Sequence, residues 1–113
     1  MTSDDVLPAH LQELRRGTAV IASLAALREP GYGYALLQTL ADAGIAVDAN
    51  TLYPLLRRLE EQGLLGAEWD TSAARPRKIY RTSADGERVL AAMLADFDDI
   101  LAALKRLTGG DLS

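Results

Sequence analysis

The sequence predicts a mainly α fold with one small β-hairpin. Three observations carry this expectation. Apolar residues recur at helical spacing in four stretches, the period changes to short strand-like runs in "LLGAEWD" and "RKIYRT", and Gly or Pro marks several of the boundaries. A chain of 113 residues, 49% hydrophobic and 25% charged, fits one compact domain with a small core.

The first helix is expected over roughly Leu11 to Arg28, where Leu14, Ile21, Leu24 and Leu27 fall near one buried face. Pro30, Gly31 and Gly33 in "REPGYG" then read as a turn. A second helix, about Tyr34 to Ala43, buries Leu36, Leu37 and Leu40, and Gly44 is placed to end it in the left-handed conformation. The third helix lies in "DANTLYPLLRRLEEQGLL". Leu52, Leu55, Leu56 and Leu59 at i, i+3, i+4 and i+7 fix its buried face, and Asn50, Tyr53, Pro54 and Arg57 share another, with Thr51 and Arg58 beside them. Pro54 has no amide hydrogen and costs least in a first turn, so the helix is expected to start between Asp48 and Asn50 with one of these residues as cap and to end at Gly63.

The two strand-like runs, which contain Trp69, Ile79 and Tyr80, make a hairpin around "TSAARP", a connection long enough to project with its basic residues. Trp69, the only tryptophan, is expected to pack the hairpin onto the helices. The last helix begins at "TSADGERV", with Thr82 and Asp85 as a capping-box pair or Ser83 as the cap. Along it Leu90, Met93, Phe97, Ile100, Leu104 and Leu107 follow alternating spacings of three and four, and Leu94 and Leu101 widen the stripe. So small a domain leaves such a stripe uncovered, and a second copy of the chain is its simplest cover. The expected division is residues 1–82 as the first unit, 83–108 as the dimerisation helix and 109–113 as a flexible tail.

The charge is segregated. The formal net charge is -4, yet Arg57, Arg58, Arg75, Arg77, Lys78 and Arg81 fall in the middle of the chain, with no acidic residue between Thr71 and Thr82. Asp85, Glu87, Asp96, Asp98, Asp99 and Asp111 weight the other end. Three helices, a hairpin and a further helix, with arginines on the third helix and in the hairpin loop, describe a winged helix-turn-helix. In that arrangement the third helix enters the major groove and the wing lies along the backbone. Arginine can read guanine or hold phosphate, asparagine can pair with adenine, and tyrosine can reach a phosphate.

The stretches "GYGYALLQTL", "NTLYPLLRRLEEQGLL" and "RPRKIYRTSADGERVL" resemble, in order and spacing, the signatures of PadR-like transcriptional regulators, over most of Gly31 to Leu90. The resemblance implies a cytoplasmic, homodimeric repressor of double-stranded DNA, in the shorter branch with a single carboxy-terminal dimerisation helix. By position it implies DNA contacts from Tyr34, Asn50, Thr51, Tyr53, Pro54, Arg57, Arg77 and Lys78, to which Arg58 and Arg75 are added by charge. The multidrug-binding members of that branch stack an aromatic residue on planar ligands between subunits. Phe97, with Met93 one turn before it, stands in the corresponding place for a small apolar or aromatic effector. The chain departs from the family pattern at Ala49 and Asn50, ahead of "TLY", and at Ile79, where a tyrosine is commoner.

Each signal has a plainer reading. Arg57 and Arg58 could be a solvated face paired with Glu61 or Gln62, Phe97 could be interface packing alone, and "DFDD" could be a solvated helix face. The absence of cysteine, the single histidine His10 and the lack of a phosphate-cradling glycine loop point away from an enzyme, a metal site or a cofactor. The acidic "MTSDDVLPAH" is unlike a signal peptide, and "AVIASLAAL" is short of the ~20 residues of a membrane span, so a cytoplasmic protein is expected. The alternative to DNA binding is a winged-helix module that binds another protein.

Overall fold

In the computed structural model, which describes residues 2–110, the elements run α1 (Ser3–Arg15), α2 (Thr18–Ala26), β1 (Gly31–Tyr32), α3 (Gly33–Asp42), α4 (Ala49–Glu61), β2 (Leu65–Asp70), β3 (Arg77–Thr82) and α5 (Ala84–Leu107). The mainly helical fold with a hairpin is present. The hairpin is part of a three-stranded antiparallel sheet in the order β1-β3-β2. The last three positions of the expected tail, 111–113, lie outside the described residues.

The core is built from the helical leucines. Leu24, Leu27, Leu36, Leu40, Leu52, Leu55, Leu56 and Leu59 are buried, joined by Leu65, Tyr80 and Leu90. All four leucines expected to face inward from α4 do so. Both helix stops form as the glycines require: Gly44 (φ +89°) and Gly63 (φ +76°) are left-handed, and the amides that follow them return to carbonyls five residues back, Ile45 to Leu40 at 2.8 Å and Leu64 to Leu59 at 2.9 Å. β3 is tied to α2 by Thr82, whose amide donates to the Leu27 carbonyl (2.8 Å) and whose buried hydroxyl donates to that of Leu24 (2.7 Å). Thr82 is therefore not the cap of α5. Ser83 is, accepting from the Gly86 amide at 3.0 Å.

Several expectations need correction. The single first helix is two, interrupted at Arg16 and Gly17, where both residues keep right-handed helical angles and the Thr18 hydroxyl donates to the Arg15 carbonyl at 2.5 Å. Leu14 therefore belongs to α1, which buries no side chain, and is 70% exposed. "REPGYG" is not only a turn, since Gly31 and Tyr32 pair with Tyr80 and Ile79 as the third strand. Pro54 lies in the second turn of α4, not the first, and removes the amide that would serve the Asn50 carbonyl. The helix tolerates this because Asn50 and Pro54 are on its exposed face, where water can reach the freed carbonyl. Trp69 does not anchor the hairpin: it is 63% exposed.

The first turns of α5 belong to the core, with Gly86 and Leu90 buried, so Leu90 is covered within the protomer. Met93 is half-buried. Beyond it Leu94, Phe97, Ile100, Leu101, Leu104 and Leu107 are exposed, as are Leu7, Leu11 and Leu14 on α1. Among the described residues no helix is long and apolar enough to cross a membrane.

Candidate nucleic-acid interface

α3 and α4 form the helix-turn-helix, and the start of α4 is set locally. The Asp48 carboxylate accepts from the Thr51 amide at 2.9 Å, which supplies one of the amides left open at a helix start. With the leucines inward, Asn50, Thr51, Tyr53, Pro54, Arg57 and Arg58 are all exposed. Tyr53 is seated over the first residue of α3: a Cβ on Gly33 would come within 2.9 Å of its ring, so glycine is what lets the tyrosine lie there. Neither Arg57 nor Arg58 has a carboxylate partner among the described residues, and the pairing with Glu61 that a merely solvated face would show is absent there.

Tyr34, exposed at the start of α3, joins the wing through a stacked cluster. Its ring lies 5.5 Å from that of Tyr32, nearly parallel, and the Arg77 guanidinium sits 4.4 Å over the other tyrosine while donating to the Tyr34 hydroxyl at 3.2 Å. Asp70 closes the cluster. It accepts from the Tyr32 hydroxyl (2.5 Å) and from the amide and hydroxyl of Ser72 (3.0 and 2.6 Å), and it lies 3.7 Å from Arg77. The Ser72 and Tyr32 hydrogen bonds favour its ionised form and hold its carboxyl down at about 2, while the same bond to Asp70 raises the Tyr32 phenol.

Lys78 is the second tie. Its ammonium is 2.7 Å from Glu60 on α4, and that bond raises its pKa. It also lies 5.5 Å from the Tyr80 ring centre and 5.8 Å from that of Trp69. The structure thus separates the basic residues that the sequence grouped together. Arg57, Arg58 and Arg75 are exposed without an internal ion pair among the described residues, whereas Arg77 and Lys78 are half-buried and engaged by protein groups at the root of the wing. A freely projecting Arg77 or Lys78 is therefore corrected to one that fixes the wing against α3 and α4.

Sequence reasoning overlooked Tyr32, Asp70, Ser72 and Glu60. Only the close repeat of tyrosine and glycine in "GYGY" hinted at the cluster, and nothing in its spacing points to Asp70, 38 positions away from Tyr32.

Comparison with known proteins agrees with this architecture. Residues 20–92 match the Transcriptional regulator PadR-like family. The chain is 49% identical to the crystal structure of a PadR family transcriptional regulator from Eggerthella lenta DSM 2243, with a TM-score of 0.90 over 97% of this chain and 96% of that one. A PadR-like transcription factor from Bacteroides fragilis is 31% identical, with a TM-score of 0.74 over 88% of this chain and 98% of that one. The Transcriptional regulator Rv3488 of Mycobacterium tuberculosis (strain ATCC 25618 / H37Rv) is 41% identical over 59 residues, 52% of this chain, and the match spans 55% of that relative's length. With the family matched across residues 20–92 and the same fold in its solved relatives, the chain belongs to the PadR-like family of transcriptional regulators.

Proposed function

We propose that the chain is a transcriptional repressor that binds a pseudo-palindromic operator as a homodimer in the cytoplasm. The observation that carries the proposal is the exposed face of α4, on which Asn50, Thr51, Tyr53, Pro54, Arg57 and Arg58 stand outward while every leucine of the helix is buried. α4 enters the major groove with its amino-terminal half. Asn50 and Arg57 supply hydrogen-bonding groups for base edges, and Tyr34, Tyr53 and Arg75 reach phosphates. Arg77 and Lys78 hold the wing at the angle at which it meets the backbone. Residues 1–82 carry DNA binding, and 83–108 carry dimerisation.

The dimer forms along the exposed stripe Leu94, Phe97, Ile100, Leu101, Leu104 and Leu107, with α1 and its exposed leucines adding to the cover. The two copies of α4 are then separated by about one helical turn of DNA, roughly 34 Å. A small apolar or aromatic effector seated between subunits against Met93 and Phe97 changes that separation, provided it binds the two arrangements with different affinity.

The experiment is a titration of random-sequence duplex DNA at increasing salt. Affinity should fall with a log–log slope of about 0.9 per phosphate neutralised, so that several contacts per dimer give a steep line. The second reading, a winged-helix module that binds another protein, draws support from the internal engagement of Arg77 and Lys78, which leaves the wing less free charge than its sequence suggests. A flat salt response with weak DNA affinity would favour it.

A further inference from the structure

Trp69 is the one large apolar side chain of the sheet left to solvent, and its surroundings say what it faces. It is paired across the hairpin with Lys78, and strand alternation puts it on the same sheet face as Leu65, Ala67 and Tyr80. Leu65 and Tyr80 are buried against the helices, Ala67 is half-buried and Trp69 is 63% exposed, so the helical cover ends just short of the indole. Beyond that end stands Lys78, which ties the wing to α4. Lys78 Nζ lies 5.8 Å from the Trp69 ring centre and 2.7 Å from Glu60, which is one turn along α4 from Arg57. The indole therefore occupies the corner between α4 and the wing.

Resting on the reading that the protein binds duplex DNA, we propose that Trp69 is itself a DNA-contacting residue: its ring packs on a deoxyribose of the strand beside the groove entered by α4, and its indole N–H donates to a neighbouring phosphate. The chemistry of the corner fits that occupant. A nucleic-acid backbone alternates apolar sugar with anionic phosphate, and here an exposed ring lies beside Lys78 at the root of the loop that carries Arg75, with no acidic residue from Thr71 to Thr82, and the lysine is tied to α4 one turn from Arg57. Glu60 engages the Lys78 ammonium, and the indole adds apolar surface and a neutral N–H donor at this point.

Trp69 is the only tryptophan, so the native protein reports on it directly. The wild-type protein is titrated with a random-sequence duplex at low salt, DNA binding is followed by anisotropy of a label on the DNA, and acrylamide quenching of tryptophan emission is measured in the same samples. DNA binding accompanied by a loss of quenching is the expected result. DNA binding with undiminished quenching overturns the proposal and leaves the DNA-binding reading intact. Absence of DNA binding removes both.

As a second measurement, Trp69→Ala should weaken DNA binding about tenfold with the salt slope unchanged, because an apolar contact and a neutral donor release no counterion. Trp69→Phe, which keeps a ring, should recover part of the loss. Equal affinity for wild type and Trp69→Ala, with the variant folded by circular dichroism, also overturns the proposal.

Discussion

Gly86→Ala sets two effects of opposite sign against each other within α5. In an exposed helix the change would stabilise by about 1 kcal/mol, because alanine is the better helix former. Here the added Cβ would lie 2.1 Å from the Leu64 carbonyl oxygen, 2.7 Å from Thr82 Cγ2 and 3.1 Å from the Leu64 carbonyl carbon. Two of these three atoms are backbone, so relief requires α5 to lift from the turn between α4 and β2. That movement strains the Ser83 amide bond to the Leu64 carbonyl (3.0 Å) and the Ser83 hydroxyl bond to the Gly63 carbonyl (2.6 Å). Overpacking costs about 1–3 kcal/mol and each weakened hydrogen bond about 1 kcal/mol. The steric side wins, for a net loss of roughly 2–4 kcal/mol. Urea denaturation of wild type and variant at one fixed protein concentration measures it, with dimerisation held constant by that choice. A variant as stable as wild type, or more stable, would refute the reasoning by showing that α5 is not seated through this contact.

Arg57→Ala should weaken operator binding by about 1–3 kcal/mol for a bidentate base contact, or reduce the salt slope by about one for a phosphate contact, while the folded dimer persists; anisotropy titrations at several salt concentrations distinguish these, and unchanged affinity and slope remove Arg57 from the interface. Phe97→Asp should raise the dimer dissociation constant by roughly a hundredfold or more, since a charge would be buried on the seam. Sedimentation at micromolar concentration checks it, and a dimer of wild-type strength would contradict the proposed interface. Because Asp70 is held at about 2 against an ordinary value of 3.8, its ionised form contributes stability that is fully present above about pH 4 and is lost as the pH falls through 2. Asp70→Asn should remove that part of the acid sensitivity, as read from urea midpoints across this range.

The legible parts of the fold were those where periodicity and tertiary burial agree. The leucines of α4 repeat along one face and are all buried, and α5 carries its stripe past the end of the body. The break between α1 and α2 was hidden because the apolar pattern runs through it and the backbone stays helical at Arg16 and Gly17. β1 has only two residues, too few for a period of two to register. Trp69 was misplaced because alternation tells which face a strand residue occupies but not how far the helices extend over that face. Similarly, counting charges located the basic residues, but the split between Arg57, Arg58 and Arg75, unpaired among the described residues, and the engaged Arg77 and Lys78 depends on carboxylates brought in from Asp70 and Glu60. Pro54 looked like a first-turn residue because its cost was weighed without knowing that its face is open to water.

The most direct test of dimeric operator recognition by α4 and the wing is selection of bound fragments from the genome that encodes the chain, followed by the stoichiometry of the recovered complex. The expected product is a promoter fragment with two inverted half-sites whose centres are about one helical turn apart, roughly 10 base pairs, bound by two chains. Recovery of no enriched fragment, or of a single half-site bound by one chain, would contradict it.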